Sequence, residues 1–365
     1  MTQAHRPITI ADVAHQARVS AMTVSNVINN KPNVRPQTRQ RVLDAIEETG
    51  YRVNPMARAL AGGRGRMLSV VTRQLNLPYV SEVLMGAAEA ADTLAYDLVV
   101  LMAGQRPSSD LSVMSRLAVG ALLIQPDHHT RLSPAELPEH VVSVDGPSGR
   151  PLGVDNYGGA RQAMTHLLGL GHTRIATITG LGAHLPDPTT GRPTRDTARD
   201  DGQERLRAYH DAMHAAGLRV PRGYVQQGDY TKASGEAATR RLLHLTRPPT
   251  AIFAACDAMA VGAIHVAQDL GLRVPDDLSV VGFDGLPIAS ESNPQLTTVR
   301  QPLHEIGAAA VHLLVQLAEG GTPPQPPLFT TELIVRGSTA PPGLSLTTRA
   351  LAAPTDSRVP MVPGG

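Results

Sequence analysis

The sequence predicts a mixed α/β protein in which an N-terminal all-α module precedes a larger core of parallel β-α sheets. Within residues 9–29 the apolar side chains recur at helical spacing in two short stripes, separated by a short break. From Met67 onward, short apolar runs alternate with amphipathic helices, a pattern typical of parallel strands joined by helical crossovers. A length of 365 residues, of which 42% are hydrophobic, indicates two or three globular domains.

The two stripes form a helix-turn-helix pattern, and each helix has its own start signal. Thr9 can cap the first helix with Asp12 completing a capping box, and Ser20 can cap the second. An ordinary helical hairpin with a solvated face is the alternative explanation of this stretch, because short amphipathic helix pairs are common. The outer face of the second helix nevertheless has small or hydrogen-bonding side chains that fit a DNA major groove, namely Ala21, Met22, Ser25, Asn26 and Asn29.

Two further helices are predicted before the core begins. The first runs from about Arg35 to Glu48, with Pro36 near its start and Gly50 as its stop. The second covers about two turns between residues 54 and 62, a length that is marginal for an isolated helix in water. We therefore expect this short helix to need DNA and its own copy on a second subunit.

Charge is distributed unevenly along the chain. Residues 1–66 contain ten Lys+Arg and four Asp+Glu, a net charge of +6, whereas the remainder contains 23 and 28, a net charge of −5. The basic excess suits a surface that contacts phosphates. Cys256 is the single cysteine, which excludes an intrachain disulfide. No signal peptide is recognisable, and no apolar run is long enough for a membrane span. We therefore expect a cytoplasmic, nucleoid-associated protein with no membrane partner.

The core is predicted to contain two β-α sheets of similar size, with a ligand cleft between them at the carboxyl ends of the strands. Strands are predicted at 67–72, 97–102, 121–125, 141–144, 174–179, 224–227, 251–255, 278–283 and 328–335. Helices are predicted at 81–94, 109–117, 157–170, 204–216, 232–245, 258–270 and 303–318.

Three groups of motifs mark the N-terminal module: Ile10-Ala-Asp-Val-Ala14, Val19-Ser20 with Thr23-Val-Ser25, and Asn54-Pro55 with Ala57-Arg58-Ala-Leu60. In these motifs residues 8–64 resemble the DNA-binding headpiece and hinge of the lactose-repressor (LacI/GalR) family of bacterial transcriptional regulators. The resemblance implies that Ala21, Met22 and Asn26 face base edges and that Leu60 wedges into a central minor-groove step. It implies contacts with the DNA backbone or neighbouring groups for Ser20, Thr23, Ser25, Asn29, Thr38, Tyr51 and Asn54, and the DNA-binding set is completed by Thr9, Ala57 and Arg58.

The headpiece departs from the family pattern at two positions. Arg18 occupies the turn position usually held by glycine, so it must accept a strained backbone or reshape the turn. Asn26 stands where a guanine-reading arginine is common. Since asparagine pairs with adenine N6 and N7, we expect an operator half-site that differs from the family norm at that base pair.

The core carries motifs in the same family order, including Gly169-Leu-Gly-His172, Asp257-Ala-Met-Ala260 and Leu296-Thr-Thr-Val-Arg-Gln301. They resemble the family's effector-binding core, which is periplasmic-binding-protein-like, and imply two lobes joined by three crossovers near residues 157, 286 and 320. The predicted domains are a helix-turn-helix headpiece at 1–53, a hinge helix at 54–66, a two-lobed effector-binding and dimerisation core at 67–338, and a disordered tail at 339–365.

By matching motif, the resemblance implies that an effector is bound by Arg73, Tyr79, Asp145, Arg205, Asp284 and Gln301. Carboxylates and an arginine can bind polyol hydroxyls, although each residue alone is equally explained as a surface or interlobe polar group. Arg205 and Asp284 are the strongest candidates. Cys256 stands where the family often has asparagine, which puts the usual sugar-binding set in question.

Other site chemistry is weakly supported by the sequence. With no Trp, ring stacking depends on Tyr79, Phe253 or Phe283, and both phenylalanines are better explained as core. No cofactor is expected. No metal site is expected either, because the run Asp127-His128-His129 lacks a third spaced ligand. Residues 182–202 are predicted to form a long exposed loop near the entrance of the effector site, which is either a lid or flexible surface.

These features predict a sequence-specific regulator that binds near-palindromic double-stranded operator DNA as a homodimer, under the control of a sugar-like small-molecule effector. A dimer is favoured because the tail lacks a leucine heptad, and the resemblance favours repression over activation. Two alternatives remain: a ligand-transport receptor, against which the basic headpiece argues, and an enzyme. No catalytic residue is expected, because no nucleophile triad, phosphate-binding loop or zinc-protease motif is present.

Overall fold

The computed structural model describes residues 8–29, 31–52, 66–72, 74–102, 118–124, 137–144, 150–180, 201–323, 325–326 and 328–343. Several predicted features lie outside these ranges. They are the hinge helix with Asn54, Ala57, Arg58 and Leu60, the effector candidates Arg73 and Asp145, the Asp127-His128-His129 run, the helix predicted at 109–117, residues 182–200 of the predicted loop, and the tail from residue 344.

The headpiece consists of helices α1 (Ile10–Ala17), α2 (Ala21–Ile28) and α3 (Pro36–Thr49). Both predicted caps are confirmed: the backbone N–H and hydroxyl of Thr9 donate to Asp12 Oδ2 at 2.8 and 2.6 Å, and Ser20 Oγ accepts from the Thr23 N–H at 3.1 Å. Arg18 adopts the left-handed conformation, with φ 52° and ψ 49°, so the turn keeps its shape without glycine. The small core shared by the three helices consists of Val13, Ala14, Ala17, Val24, Val27, Val42 and Ala45.

The first lobe of the core has a five-stranded parallel sheet in the order β2-β1-β3-β4-β5. Its strands are β1 (Met67–Thr72), β2 (Asp97–Met102), β3 (Gly120–Ile124), β4 (His140–Val144) and β5 (Arg150–Leu152). Helices α4 (Pro78–Thr93) and α10 (Leu303–Ala318) pack against it and against each other. The central strands β1 and β3 are buried throughout, as expected for a sheet covered on both faces.

The α4–α10 crossing depends on two glycines. A Cβ atom built on Gly86 would lie 1.9 Å from the His304 carbonyl oxygen, and one built on Gly307 would lie 2.0 Å from that of Val83. Real Cβ atoms do not approach backbone oxygens so closely. The two helices therefore pack backbone to backbone only because neither glycine has a side chain.

The second lobe has a six-stranded sheet in the order β11-β10-β9-β8-β6-β7, parallel except for β11. Its strands are β6 (Ile175–Thr179), β7 (Val225–Gln227), β8 (Ala251–Ala254), β9 (Ser279–Asp284), β10 (Thr297–Arg300) and β11 (Glu332–Ile334). Its helices are α5 (Asn156–Gly169), α6 (Asp201–Ala215), α7 (Lys232–Leu243), α8 (Asp257–Asp269) and the single-turn α9 (Pro287–Glu291).

The chain passes between the lobes three times, and one passage is not where the sequence placed it. The first lies between β5 and α5, and the third lies after α10, where Val154 pairs with Phe329. The prediction of a crossover near residue 286 is wrong, because β10 still belongs to the second sheet and the chain crosses between Arg300 and Leu303. The physical reason is that Leu286 buries its side chain in the first-lobe core while the chain turns back into the second lobe.

Several predicted boundaries are also corrected. Strands β5 and β10 and helix α9 were missed, α4 begins three residues earlier than predicted, and the strand predicted at 328–335 is limited to Glu332–Ile334. Helix α6 begins at Asp201, so the exposed loop predicted at 182–202 ends earlier. Disorder from residue 339 is wrong for 339–343, because Thr339 and Ala340 pack on the second lobe.

His172 attaches this C-terminal segment to the second sheet. Its Nε2 donates to the Ala340 carbonyl oxygen at 2.9 Å, because a carbonyl can only accept, and its Nδ1 lies 2.9 Å from Thr250 Oγ1. Ser279 Oγ also lies 3.1 Å from Nε2. Burial lowers the pKa of His172, so the folded lobe favours the neutral ring.

We expect the free energy of unfolding to decrease as the pH falls below about 6.5, the unperturbed histidine pKa. Because the folded pKa of His172 lies below the unfolded value, the unfolded chain binds more protons, and stability that is complete above that pH is lost in acid. Denaturant unfolding at pH 7.5 and 5.5 measures the slope. His172→Gln should flatten it, while the exposed control His214→Gln should not. Equal slopes in wild type and His172→Gln would contradict the assignment.

Two classes of feature are missing from the described ranges. None of the helices there combines the length and apolarity needed to cross a membrane. Likewise, no group of three His, Cys, Asp or Glu side chains suited to a metal ion occurs among the described residues.

Candidate DNA-binding and effector sites

The outer face of α2 is open to solvent, as a groove-reading helix requires. Met22 is 70% exposed and Ala21 is also exposed, while Asn26 beside them is half-exposed. Val24 and Val27 on the opposite face are buried and fix the helix against α1 and α3. The other described DNA-binding candidates are Ser20 and Asn29, which are exposed, and Thr9, Thr23, Ser25, Thr38 and Tyr51, which are half-buried.

A residue that the sequence analysis missed fixes the end of α2. Arg39 of α3 donates from Nη2 to the Lys31 carbonyl oxygen at 2.6 Å and from Nη1 to that of Val27 at 3.4 Å. Asn29 Nδ2 donates to the Ser25 carbonyl oxygen at 2.9 Å, which closes the last turn. The headpiece also has five exposed cations that form no ion pair within the described ranges: Arg18, Lys31, Arg35, Arg41 and Arg52.

Arg205 is the centre of the second candidate site. It lies in α6, only 5% exposed, and its guanidinium stacks 3.8 Å from the centroid of the Phe283 ring. Nε donates to Asn156 Oδ1 at 2.8 Å and Nη1 donates to the Ala255 carbonyl oxygen at 2.5 Å. These contacts fix the plane of the guanidinium, so that a ligand would meet a preorganised fork of donors.

Asp284 and Gln301 lie next to Arg205, where the chain leaves the second lobe. Asp284 Oδ1 lies 3.7 Å from Arg205 Nη1 and accepts from Gln301 Nε2 at 2.8 Å, and both side chains are 4% exposed. The Gln301 Oε1 atom is buried and accepts no hydrogen bond from any residue that the structure describes. The arrangement therefore combines a cation, a carboxylate and an amide acceptor available to a hydroxyl group, at the base of the passage between the lobes.

The α8 N-terminus closes one side of this site. Cys256 caps α8 by accepting from the Met259 N–H at 3.5 Å, and burial raises the pKa of its thiol, which keeps it protonated and unreactive. Asp257 follows, fully buried, and desolvation raises its pKa to about 7 against the opposing effect of the donors bound to it.

Tyr230 is the aromatic residue that sequence reasoning missed. It follows β7 with φ 66°, and its ring occupies the space beside Gly180, where a Cβ would lie 1.9 Å from Tyr230 Cζ. Its carbonyl oxygen lies 3.6 Å from Cys256 Sγ, so the loop is close to the α8 N-terminus. An aromatic residue three positions after the end of a strand, in a chain with 3% aromatics, was the available signal.

The remaining aromatic candidates lie elsewhere. Phe253 and Phe283 are buried with their ring centroids 6.5 Å apart, so their interpretation as core residues is confirmed. Tyr79 begins α4 and is buried in the first-lobe core. Asn156 was also missed: it accepts from Arg205 and donates from Nδ2 to Asp201 Oδ1 at 2.8 Å.

A basic helix-turn-helix module joined to a two-lobed α/β core with a polar interlobe site defines a ligand-regulated DNA-binding protein. Residues 9–54 match the family model of bacterial regulatory proteins of the lacI family, and residues 164–339 match the periplasmic binding protein-like domain. The chain belongs to the LacI family of bacterial transcriptional regulators, and the predicted resemblance is confirmed.

Similar proteins of known type support this assignment over nearly the whole chain. Catabolite control protein A of Priestia megaterium is 34% identical over 319 residues, which cover 85% of this chain and 92% of that protein. A solved Lac repressor dimer bound to operator and the anti-inducer ONPF superposes with a TM-score of 0.76 at 27% identity, covering 92% of this chain and all of that one. A complex of the transcriptional regulator CelR with cellobiose gives a TM-score of 0.65 at 32% identity, covering 91% and 100%.

Proposed function

We propose that this protein is a repressor that binds a near-palindromic operator as a homodimer and is switched by a sugar-like effector bound between its lobes. The effector assignment depends on the buried Arg205–Asp284–Gln301 group, in which Gln301 Oε1 accepts no hydrogen bond within the described part of the chain. Burying an amide oxygen without a donor is costly, and a ligand hydroxyl would remove that cost. The CelR–cellobiose complex supports a sugar as the chemical class.

Effector recognition is assigned residue by residue. Arg205, Asp284 and Gln301 would bind hydroxyl groups from the second lobe, while Arg73, Tyr79 and Asp145 would contribute from the first. Tyr230 would add a ring face. Because these groups lie on both lobes, an effector that favours one lobe arrangement shifts the population toward it, and this differential affinity is the whole of the regulatory effect.

DNA recognition is assigned to the headpiece and hinge. Ala21, Met22 and Asn26 would face base edges, supported by their exposure on α2. Leu60 would wedge into the minor groove, and the remaining contacts would come from Thr9, Ser20, Thr23, Ser25, Asn29, Thr38, Tyr51, Asn54, Ala57 and Arg58. The headpiece would span residues 1–53, the hinge helix 54–66 and the core 67–338. The protein would act at the nucleoid in the cytoplasm. It would have no catalytic role.

The dimer is supported by apolar surface on the first lobe. Edge strand β2 has half-exposed apolar residues along its length, and Met102 at its end is 51% exposed. Leu75 and Met85, near and on α4, are also large exposed apolar side chains. A half-exposed apolar edge strand and large exposed apolar side chains are features that a dimer interface would cover.

Selection of operator sequences with the purified protein tests the DNA assignment. We expect one near-palindromic site, bound with an affinity that falls with salt at a log-log slope of about −0.9 per phosphate neutralised. Deletion of residues 1–64 should abolish binding. A flat salt response, or no preferred sequence in the presence of any sugar of a panel, would contradict the proposal. An invariant guanine contacted by Asn26 would refute the expected adenine contact but would leave the proposed function standing.

A further inference from the structure

Asp257 has a buried carboxylate that the proposed effector contacts do not use. Oδ1 accepts from Thr298 Oγ1 of β10 at 2.5 Å, and Oδ2 accepts from the Leu286 N–H at 2.7 Å. The Gly285 N–H also interacts with the same carboxylate, which lowers the pKa of that group. One carboxylate at the start of α8 therefore gathers donors from β10 and from the segment that follows β9.

Space for this carboxylate is created by a residue without a side chain. A Cβ atom on Gly282 would lie 2.3 Å from Asp257 Oδ1 and 2.8 Å from Leu296 Cδ2. Gly282 does not have a positive φ, so its backbone conformation alone does not call for glycine. The absence of a side chain there is explained by the close approach of Asp257.

The segment held by Asp257 is strained and contacts both lobes. Asp284 and Gly285 have φ values of 108° and 77°, and such a conformation is unfavourable for Asp284, which has a Cβ atom. Leu286 then places its side chain in the first-lobe core while its N–H is bound by the second lobe. The same turn directs the Asp284 carboxylate at Gln301 Nε2 and Arg205 Nη1.

We propose that Asp257 is a positioning residue: its carboxylate holds residues 284–286 in the strained turn that aims Asp284 at the ligand site and fixes Leu286 between the lobes. The effector role of Asp284 within this statement rests on the proposed function. Above its pKa of about 7 the Asp257 carboxylate is charged, and loss of that charge weakens its interactions with the Gly285 and Leu286 amides, because a charged acceptor binds N–H groups more strongly than a neutral one.

Hydrogen exchange resolved to single amides, measured above the Asp257 pKa of about 7 so that the wild-type carboxylate is charged, tests the assignment without ligand or DNA. Asp257→Asn keeps the shape of the side chain and removes its charge. We expect the Leu286 and Gly285 amides to exchange at least tenfold faster in this variant, while amides of β6 and β8 exchange as in wild type. The Leu286 amide proton resonance should also move upfield, a spectroscopic signature of losing a charged acceptor.

The matched control is Asp269→Asn at the other end of α8, an exposed aspartate paired with Arg240. It should leave the exchange of residues 284–286 unchanged. Thr298→Val removes one donor from the carboxylate in a strand that accepts valine, and should give a smaller increase at the same two amides even if Asp257→Asn does not fold.

Unchanged exchange at Leu286 in both variants would overturn the proposal, as would a uniform acceleration across β6 and β8, which would mean that Asp257 only stabilises the lobe. Failure of operator selection would refute the proposed function without altering the exchange result.

Discussion

Gly307→Ala should destabilise the first lobe by about 3 kcal/mol, the upper part of the range for overpacked cores. The added methyl would lie 2.0 Å from the Val83 carbonyl oxygen and 2.9 Å from the Ala87 nitrogen, and backbone atoms within a helix cannot move aside. Helices α4 and α10 must therefore separate, which opens the core around Val83 and Val311. The gain of about 1 kcal/mol in helix propensity is too small to offset this. Calorimetry and denaturant unfolding measure the change.

In Gly86→Ala the added methyl would clash with the His304 carbonyl oxygen of the opposite helix, so this variant should lose about as much stability as Gly307→Ala. The two substitutions together should cost less than the sum of their separate effects, because one separation of the helices relieves both contacts. Gly169→Ala at the end of α5 is the control: a Cβ atom placed there would have no neighbouring atom within 4 Å, so it should be neutral or stabilising by up to about 1 kcal/mol. A Gly307→Ala variant as stable as this control would refute the close-packing argument.

The parts of the fold that were predicted from the sequence are those specified by local patterns. Capping by Thr9 and Ser20 depends on residues within one turn, and the strands of the first sheet are continuous apolar runs. Strand β10 was missed because its four residues form no continuous apolar run, and its two buried threonines bind tertiary partners that the sequence does not reveal: Asp257 for Thr298, and the 336–339 segment for Thr297. The crossover was wrongly predicted near residue 286 because the sequence does not show which of the two cores an apolar residue such as Leu286 enters.

The candidate site was predicted only in part for the same reason. Arg205 and Asp284 were found through family motifs, and the structure brings them together with Gln301. Asn156 was missed because it acts through a contact 49 residues away in the chain, which no spacing rule reveals. Asp257 belonged to a recognised motif, yet its role follows from where Leu286 and Thr298 lie after folding.

Arg205→Met should destabilise the second lobe by about 3–5 kcal/mol, because it leaves the Asp284 carboxylate buried without its cation. The Ala255 carbonyl oxygen and Asn156 Oδ1 would also lose their donor, whereas methionine retains much of the packing on Phe283. Unfolding by denaturant, followed for wild type and variant at the same pH, measures the loss.

The double variant Arg205→Met, Asp284→Asn separates the charge effect from lost packing. If the uncompensated carboxylate is the main cost, the double variant should be more stable than Arg205→Met alone, with a coupling of about 1 kcal/mol or more. The control Arg207→Met, on the same helix α6, removes an exposed ion pair with Glu204 and should cost less than about 1 kcal/mol. Additive single effects of Arg205→Met and Asp284→Asn would show that the two groups do not interact, and the Arg205–Asp284 pair would then lose its place at the centre of the effector site.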